Sequence, residues 1–323
     1  MHPLIRMVLM RLLWGLGTLL LVSVLIFAAV EMLPGDFAQA ILGQSATPQA
    51  VARIRHDLGL DQPAASRYLS WLSGVLHGDF GYSLSGRGSG VARPVAALVL
   101  PRLGNTALLA AMAALIAFPL AFRLGLAAAA RPGSRLDRGL NLLALAFVAM
   151  PEFLIGYVLI YWLAIRAGVF PPLASISGEM PAAERLWRMV LPAVSLSLPV
   201  MAHILRMTRA SLGELFERPW MEMALLKGLP TSAAVRRHAL RGAAAPLANI
   251  FAFNIAWLIT GVVVTEVVFV YPGIGQLMVD AVASRDIPVV QACALIFAAI
   301  YIGLNLIADL VALVTNPRIL HPR

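Results

Sequence analysis

One carboxylate in this chain stands beside a helix-breaking residue inside a long apolar run: Ala149-Met150-Pro151-Glu152-Phe153. An ionisable side chain among apolar neighbours is costly to keep and commonly marks a route for a solute, an ion or a proton. Two readings of these residues stand side by side. Met150, Pro151, Glu152 and Phe153 line a passage where the helix is interrupted, or Glu152 sits near the outer end of a merely bent helix. A second concentration of charge is basic: ALLKGLPTSAAVRRHALRGAAAP, Ala224 to Pro246, lies between two strongly apolar segments and breaks once, at Lys227-Gly228.

Covalent chemistry finds little footing elsewhere. The chain has no G-x-x-x-x-G-K-[ST] phosphate loop, no G-x-S-x-G and no H-E-x-x-H. Gly86-Arg87-Gly88-Ser89-Gly90 is glycine-rich but lacks the Lys-Ser/Thr pair, and it reads as a flexible loop. Of the six histidines, His2 and His321 lie at the termini, His56 and His77 in a polar segment and His238 in the basic one. His203 lies in an apolar helix, where packing or hydrogen bonding explains it better than metal ligation. Cys293, the only cysteine, is embedded in an apolar run, so no intrachain disulfide or cysteine-based metal site is available. No catalytic residue, metal site or cofactor is predicted.

The elements that must position these groups are membrane spans. The 323 residues are 60% hydrophobic, with a mean hydropathy of +0.83; soluble domains are about 45–50% apolar. A bilayer core needs about 20 apolar residues per helix. Six spans meet that need: Leu9–Val30, Leu103–Ala128, Gly139–Ala164, Met189–Met207, Ala248–Val270 and Val289–Val314. Arg6 and Arg11 precede the first, whose apolar run exceeds the about 7–15 residues of a signal peptide. It reads as an uncleaved helix with its N-terminus inside. Between the first two spans lies a polar segment with Pro34-Gly35-Asp36, a helical part around Thr47–Leu58, and Gly78-Asp79-Phe80-Gly81.

A formal charge of +9 could suit nucleic acid, but no DNA- or RNA-binding motif occurs. Most arginines instead flank apolar spans. With the N-terminus inside, the loops near Arg131–Arg138 and Arg206–Arg241 and the C-terminus also lie inside. They hold about fifteen of the 25 Lys/Arg, against about four in the short outer loops. Arg123 snorkels to the inner interface, Asp309 pairs near the inner end of the last helix, and Glu266 ties down the outer turn Tyr271-Pro272-Gly273-Ile274-Gly275.

From Thr208 to Pro246 the basic element reads as two or three short helices. Glu214, Glu217 and Glu222 fall early and Lys227 falls in the last turn before Gly228, an order that suits the helix dipole and a glycine C-terminus. Pro230, Thr231 and Ser232 then open a second helix. Such an element either rests on anionic headgroups as an amphipathic hairpin or inserts a short helix into a groove on a partner.

Several short stretches, in order, carry a resemblance over nearly the whole length. They are LPGD (Leu33–Asp36), LGLDQP (Leu58–Pro63), HGDFGYS (His77–Ser83), RMTRASLGEL (Arg206–Leu215), TEVVFVYPGIGQLMVDAV (Thr265–Val282), PVVQ (Pro288–Gln291) and NLIADLVALVTNPRI (Asn305–Ile319). Together they resemble permease subunits of binding-protein-dependent ABC importers, in the dipeptide/oligopeptide/nickel branch. The resemblance implies an all-α integral membrane protein. It would have six transmembrane helices, an extracytoplasmic segment after helix 1 and a cytoplasmic coupling helix before helix 5. Residues 1–102 would form the first helix with the outer segment, and residues 103–323 the five-helix core, with the coupling element at about 208–246.

In that family the coupling helix docks on an ATPase subunit through Glu-Ala-Ala, three residues, then Gly. Glu222, Ala224 and Gly228 stand at the matching places, with Met223 where the second residue is usually Ala. Lys227 joins them, with Leu229 and His238 as second-line contacts. The peptide branch usually has an Arg-Thr-Ala-Arg-Ala-Lys-Gly run where this chain reads EMALLKG, and Gly242 replaces an Asn. Asp79, Tyr271, Pro272, Gly273 and Gly275 are implied at the surface that meets the binding protein. The implied partners are a second homologous permease, two cytoplasmic ATP-binding subunits, an extracytoplasmic solute-binding protein and the lipid bilayer, with no nucleic acid. The implied location is the bacterial cytoplasmic membrane with both termini inside. The substrates of such systems include dipeptides, oligopeptides, nickel chelates, glutathione-like peptides and opines. The alternative is a secondary transporter driven by an ion gradient, which would suit an internal repeat that this chain does not display.

Overall fold

The computed structural model describes residues 3–32, 47–57, 61–85, 93–216, 218–235 and 239–315; Leu33–Asp36, Gly86–Gly90 and His238 lie outside them. The described residues are almost wholly helical, with one isolated bridge between Tyr82 and Pro94. In chain order the helices are α1 (Pro3–Glu31), α2 (Pro48–Asp57), α3 (Ala64–Leu76), α4 (Val95–Ala129), α5 (Arg135–Ala149) and α6 (Glu152–Leu159). A π-helical stretch, Ile160–Arg166, extends α6. Then come α7 (Ala182–Phe216), α8 (Pro219–Leu226), α9 (Thr231–Ala234), α10 (Leu240–Gly242), α11 (Ala244–Val268), α12 (Ile274–Ala283) and α13 (Ile287–Thr315).

Within α1, α4, α7, α11 and α13 lie five apolar segments long enough to cross a membrane. The sixth candidate differs from the single span expected at Gly139–Ala164: α5 and the α6 arm meet at 106°. The cause is local. Proline disfavours helical backbone in the residue before it and has no N–H to give. Met150 accordingly adopts φ −84° and ψ 132°, and α5 stops at Ala149. The most apolar stretch of α7 is 67% buried, whereas that of α1 is 6% buried. So α7 serves as an interior helix, while α1 has its surface free for lipid. Helix α7 also runs unbroken through Pro192 and Pro199.

The chain folds as two compact units. One comprises residues 1–13, 107–271 and 300–323. In it α7 packs against α5, α6 and α11. Ala144, Ala202 and Leu205 form a small buried cluster, and Phe251 lies 5.5 and 5.9 Å, ring to ring, from Phe118 and Phe122. Helices approach closely at Gly125, where a Cβ would stand 2.8 Å from Thr208 Cβ and 2.9 Å from the Leu205 carbonyl oxygen. Small residues are what allow such contacts in lipid, where van der Waals packing rather than water exclusion holds helices together. Asp137 at the start of α5 is buried. It accepts from Gly133 N–H at 2.9 Å, Asn141 Nδ2 at 2.8 Å and Arg209 of α7 at 2.8 Å. Asp309 pairs with Arg11 of α1.

The other unit comprises residues 14–106 and 272–299. Its core joins Val95 and Val99 to Ile274, Leu277, Val289 and Cys293, with the cysteine fully buried as an apolar residue. Asp286 is buried and accepts from Ser83 Oγ, from Leu84 N–H at 3.0 Å and from Ser85 N–H at 3.2 Å. That carboxylate pins the end of the HGDFGYS stretch. Phe27, Tyr68 and Trp71 pack together, and Tyr68 Oη lies 2.8 Å from Ser23 Oγ.

The Gly125 contact gives a direct test. Gly125→Val must push α4 away from α7, and overpacking of this kind costs about 1–3 kcal/mol. A lower thermal midpoint in detergent is expected; an unchanged midpoint would show that this approach is not close.

Candidate functional site

The interrupted helix frames a cavity of about 320 Å³. Its walls come from the end of α5 (Phe147, Val148, Met150), the start of the next arm (Pro151, Glu152), α7 (Pro199, His203) and α11 (Phe253, Asn254, Trp257). Pro199 lacks an N–H, which releases the carbonyl one turn earlier in α7. Three predicted path residues, Met150, Pro151 and Glu152, therefore share one cavity. Phe153 is half exposed and takes no part in the lining.

Glu152 is half-buried in the first turn of α6. Room for its carboxylate comes from Gly261 of α11, where a Cβ would lie 3.1 Å from Oε1 and 3.3 Å from Oε2. His203 is hydrogen-bonded, as expected: its Nδ1 lies 3.1 Å from Asn254 Oδ1. Asn254 in turn donates Nδ2–H to the Ile250 carbonyl at 2.7 Å. Among the described residues there is no cluster of three or more His, Cys, Asp or Glu able to hold a metal.

Of the basic element expected over Thr208–Pro246, residues 208–216 continue α7 and residues 244–246 open α11; the short helices α8, α9 and α10 lie between them. In α8, Met221 and Ala224 are buried against the protein, while Glu222, Met223 and Leu226 are exposed. Met223 is 53% and Leu226 74% exposed, three residues apart on one helix face. Lys227 is exposed and Gly228 takes φ +84°. The Leu229 N–H reaches back to the Ala224 carbonyl at 3.2 Å, the six-to-one bond of a Schellman ending. A Cβ on Gly228 would touch nothing within 4 Å, so its glycine is required by backbone conformation rather than by crowding. Leu229 is half-buried; His238 lies outside the described residues.

The residues implied at the outer surface divide. Asp79 is exposed and accepts from Gly81 N–H at 2.9 Å. Tyr271 is fully buried, with Oη 3.8 Å from Met189 Sδ, and its N–H donates to the Glu266 carbonyl at 2.8 Å. Burial raises the Tyr271 phenol well above its ordinary range; nearby Arg185 opposes the shift and Glu266 adds to it. Gly273 and Gly275 are buried as well, and Pro272 is half-buried. These positions build a turn more than they offer a face. The groups missed from sequence are the long-range partners: Asp137 with Arg209, Asp286 with residues 83–85, and Gly261 beside Glu152. No periodicity signals such pairs.

Comparison with known proteins adds two family matches. Residues 121–321 match the family described as binding-protein-dependent transport system inner membrane component, and residues 4–88 match its N-terminal counterpart. Among similar proteins is the probable peptide ABC transporter permease protein y4tP of Sinorhizobium fredii, 36% identical over 97% of this chain and 98% of that one. The oligopeptide transport system permease protein AppB of Bacillus subtilis is 32% identical over 96% and 97%. The glutathione transport system permease protein GsiC of Escherichia coli is 34% identical over 97% and 98%.

The turn after α11 yields its own test. Val270 holds φ +52°, a left-handed conformation that costs a side-chain-bearing residue about 1–2 kcal/mol. Val270→Gly is expected to raise the thermal midpoint in detergent by a few degrees; a fall would mean that Val270 contributes packing that outweighs its backbone strain.

Proposed function

The chain belongs to the family of binding-protein-dependent transport system inner membrane components, and on that footing we propose that it is one of two membrane subunits of an ATP-driven importer of peptides or similar small solutes. It is a multi-pass membrane permease; ATP hydrolysis resides on separate cytoplasmic subunits, and an extracytoplasmic protein delivers the solute. The naming of similar proteins for peptide, oligopeptide and glutathione transport supports that substrate class. Both termini lie in the cytoplasm in this reading. Residues 1–102 supply the first helix and outer segment, and residues 103–323 the transport core. Asp79 and Pro272 remain the candidates for contact with the binding protein.

The observation that carries the coupling role is the exposed apolar pair Met223 and Leu226 beside Glu222, Lys227 and Gly228. A large apolar side chain left in water on a polar loop loses the free energy that burial would supply, about 1.5–3 kcal/mol for Leu or Met. A groove on an ATPase subunit would recover it. Buried Met221 and Ala224 fix α8 to the permease, so a partner that moves against Met223 and Leu226 moves the α7–α11 connection with it. ATP binding then biases a two-state membrane element through unequal contacts in its two states. Met150, Pro151 and Glu152 line the translocation path, and the chain itself performs no covalent step.

Replacing Gly228 by Ile is expected to disrupt the helix ending and the fit of α8 to its partner. Uptake of radiolabelled dialanine should fall about tenfold, within the usual span of coupling energies, while membrane insertion and ATP hydrolysis by the assembled complex persist. Normal uptake by this variant would remove the coupling assignment.

A further inference from the structure

We propose that the cavity at the helix break recognises a primary ammonium group, such as the free N-terminus of a short peptide, with Glu152 as its counter-ion. The proposal rests on the reading of Met150–Glu152 as part of the translocation path. Its first support is an imbalance of charge. Glu152 makes no hydrogen bond or ion pair with any described residue, and the cavity wall contains no Lys or Arg. A half-buried carboxylate left without a cation is costly. An ammonium ligand would offset that cost, whereas an anionic ligand would add to it.

The second support is the direction of the hydrogen bonds. Asn254 spends its Nδ2–H on the Ile250 carbonyl, so the atom it turns to His203 Nδ1 is an acceptor. His203 Nδ1 therefore carries a proton, and in the neutral ring Nε2 is left as an acceptor. Glu152 and His203 thus offer acceptors, and an ammonium group offers three donors and no acceptor. The third support is the wall. Phe147, Phe253 and Trp257 present aromatic surface that attracts a cation and accepts an apolar side chain. A volume of about 320 Å³ is at the small end of ligand pockets, enough for a terminal residue and its neighbour. Gly261 completes the arrangement, because any side chain there would press on the carboxylate oxygens.

The test uses the purified full-length chain in lipid nanodiscs and two probes, the dipeptide Ala-Phe and its N-acetylated form, with binding measured by calorimetry. Ala-Phe is expected to bind at least about tenfold more tightly, the scale of hydrogen bonds to a charged group. Glu152→Gln should bring the two affinities within about twofold, with N-acetyl-Ala-Phe unchanged. Equal binding of the two probes to the unaltered chain overturns the proposal without reference to any variant. A preference that survives Glu152→Gln overturns it too, as does failure of Ala-Phe to bind. The path reading is tested separately by Phe253→Cys in the assembled importer, since the native Cys293 is buried. Block of uptake by a methanethiosulfonate reagent keeps the path whatever the probes show. Labelled but uninhibited transport removes the path, and with it the premise.

Discussion

Helix α5 ends at Met150-Pro151, and inside hydrocarbon a chain has few ways to stop a helix. Every backbone polar group at that depth needs a partner from protein or from water held by protein. The chain meets this condition by turning sharply. Met150 N–H still donates to the Ala146 carbonyl at 3.1 Å, and the Pro151 carbonyl accepts from Leu154 at 3.0 Å as the new helix begins. The two arms, set at 106°, cannot pack as one rod, and the wedge between them is walled by α7 and α11. The cavity and the placement of Glu152 in a first helical turn, beside Gly261, go with that break and with the helices packed around it.

A second constraint acts where the chain leaves the apolar region. Helices must satisfy their last carbonyls, and α8, α11 and α12 all end with a six-to-one bond behind a residue of positive φ. At α11 and α12 that residue is Val270 or Arg285, which holds the turn against its own backbone preference. At α8 it is Gly228, which adopts the conformation without strain. A strain-free ending suits the coupling role proposed for α8. Strained endings persist where surrounding packing determines them, as the burial of Tyr271 and Asp286 on either side of α12 does.

Much of this was legible in the sequence because hydrocarbon imposes so plain a demand. Runs of about 20 apolar residues announce themselves, Lys227-Gly228 announces a helix end, and an apolar setting marked Cys293 and His203 as packed rather than reactive. The bend at Met150-Pro151 was harder to read. A proline within an apolar run is compatible with a mild kink, and only the neighbours decide whether the chain bends by 106°. The turn at Tyr271–Gly275 reads as surface from its Pro and Gly content, yet Tyr271 is buried beside Met189. Pairs such as Asp137 with Arg209 join positions far apart in the chain, and local pattern carries no record of them.

We propose that this chain is one membrane subunit of an ATP-driven importer. That role is tested most directly by recovering the tagged protein from its native membrane in mild detergent and identifying its companions by mass spectrometry. A second membrane subunit of the same family, together with ATPases that carry a phosphate loop, is the expected result. Recovery of the chain alone, in a form that moves solute into liposomes on an ion gradient without ATP, would contradict it.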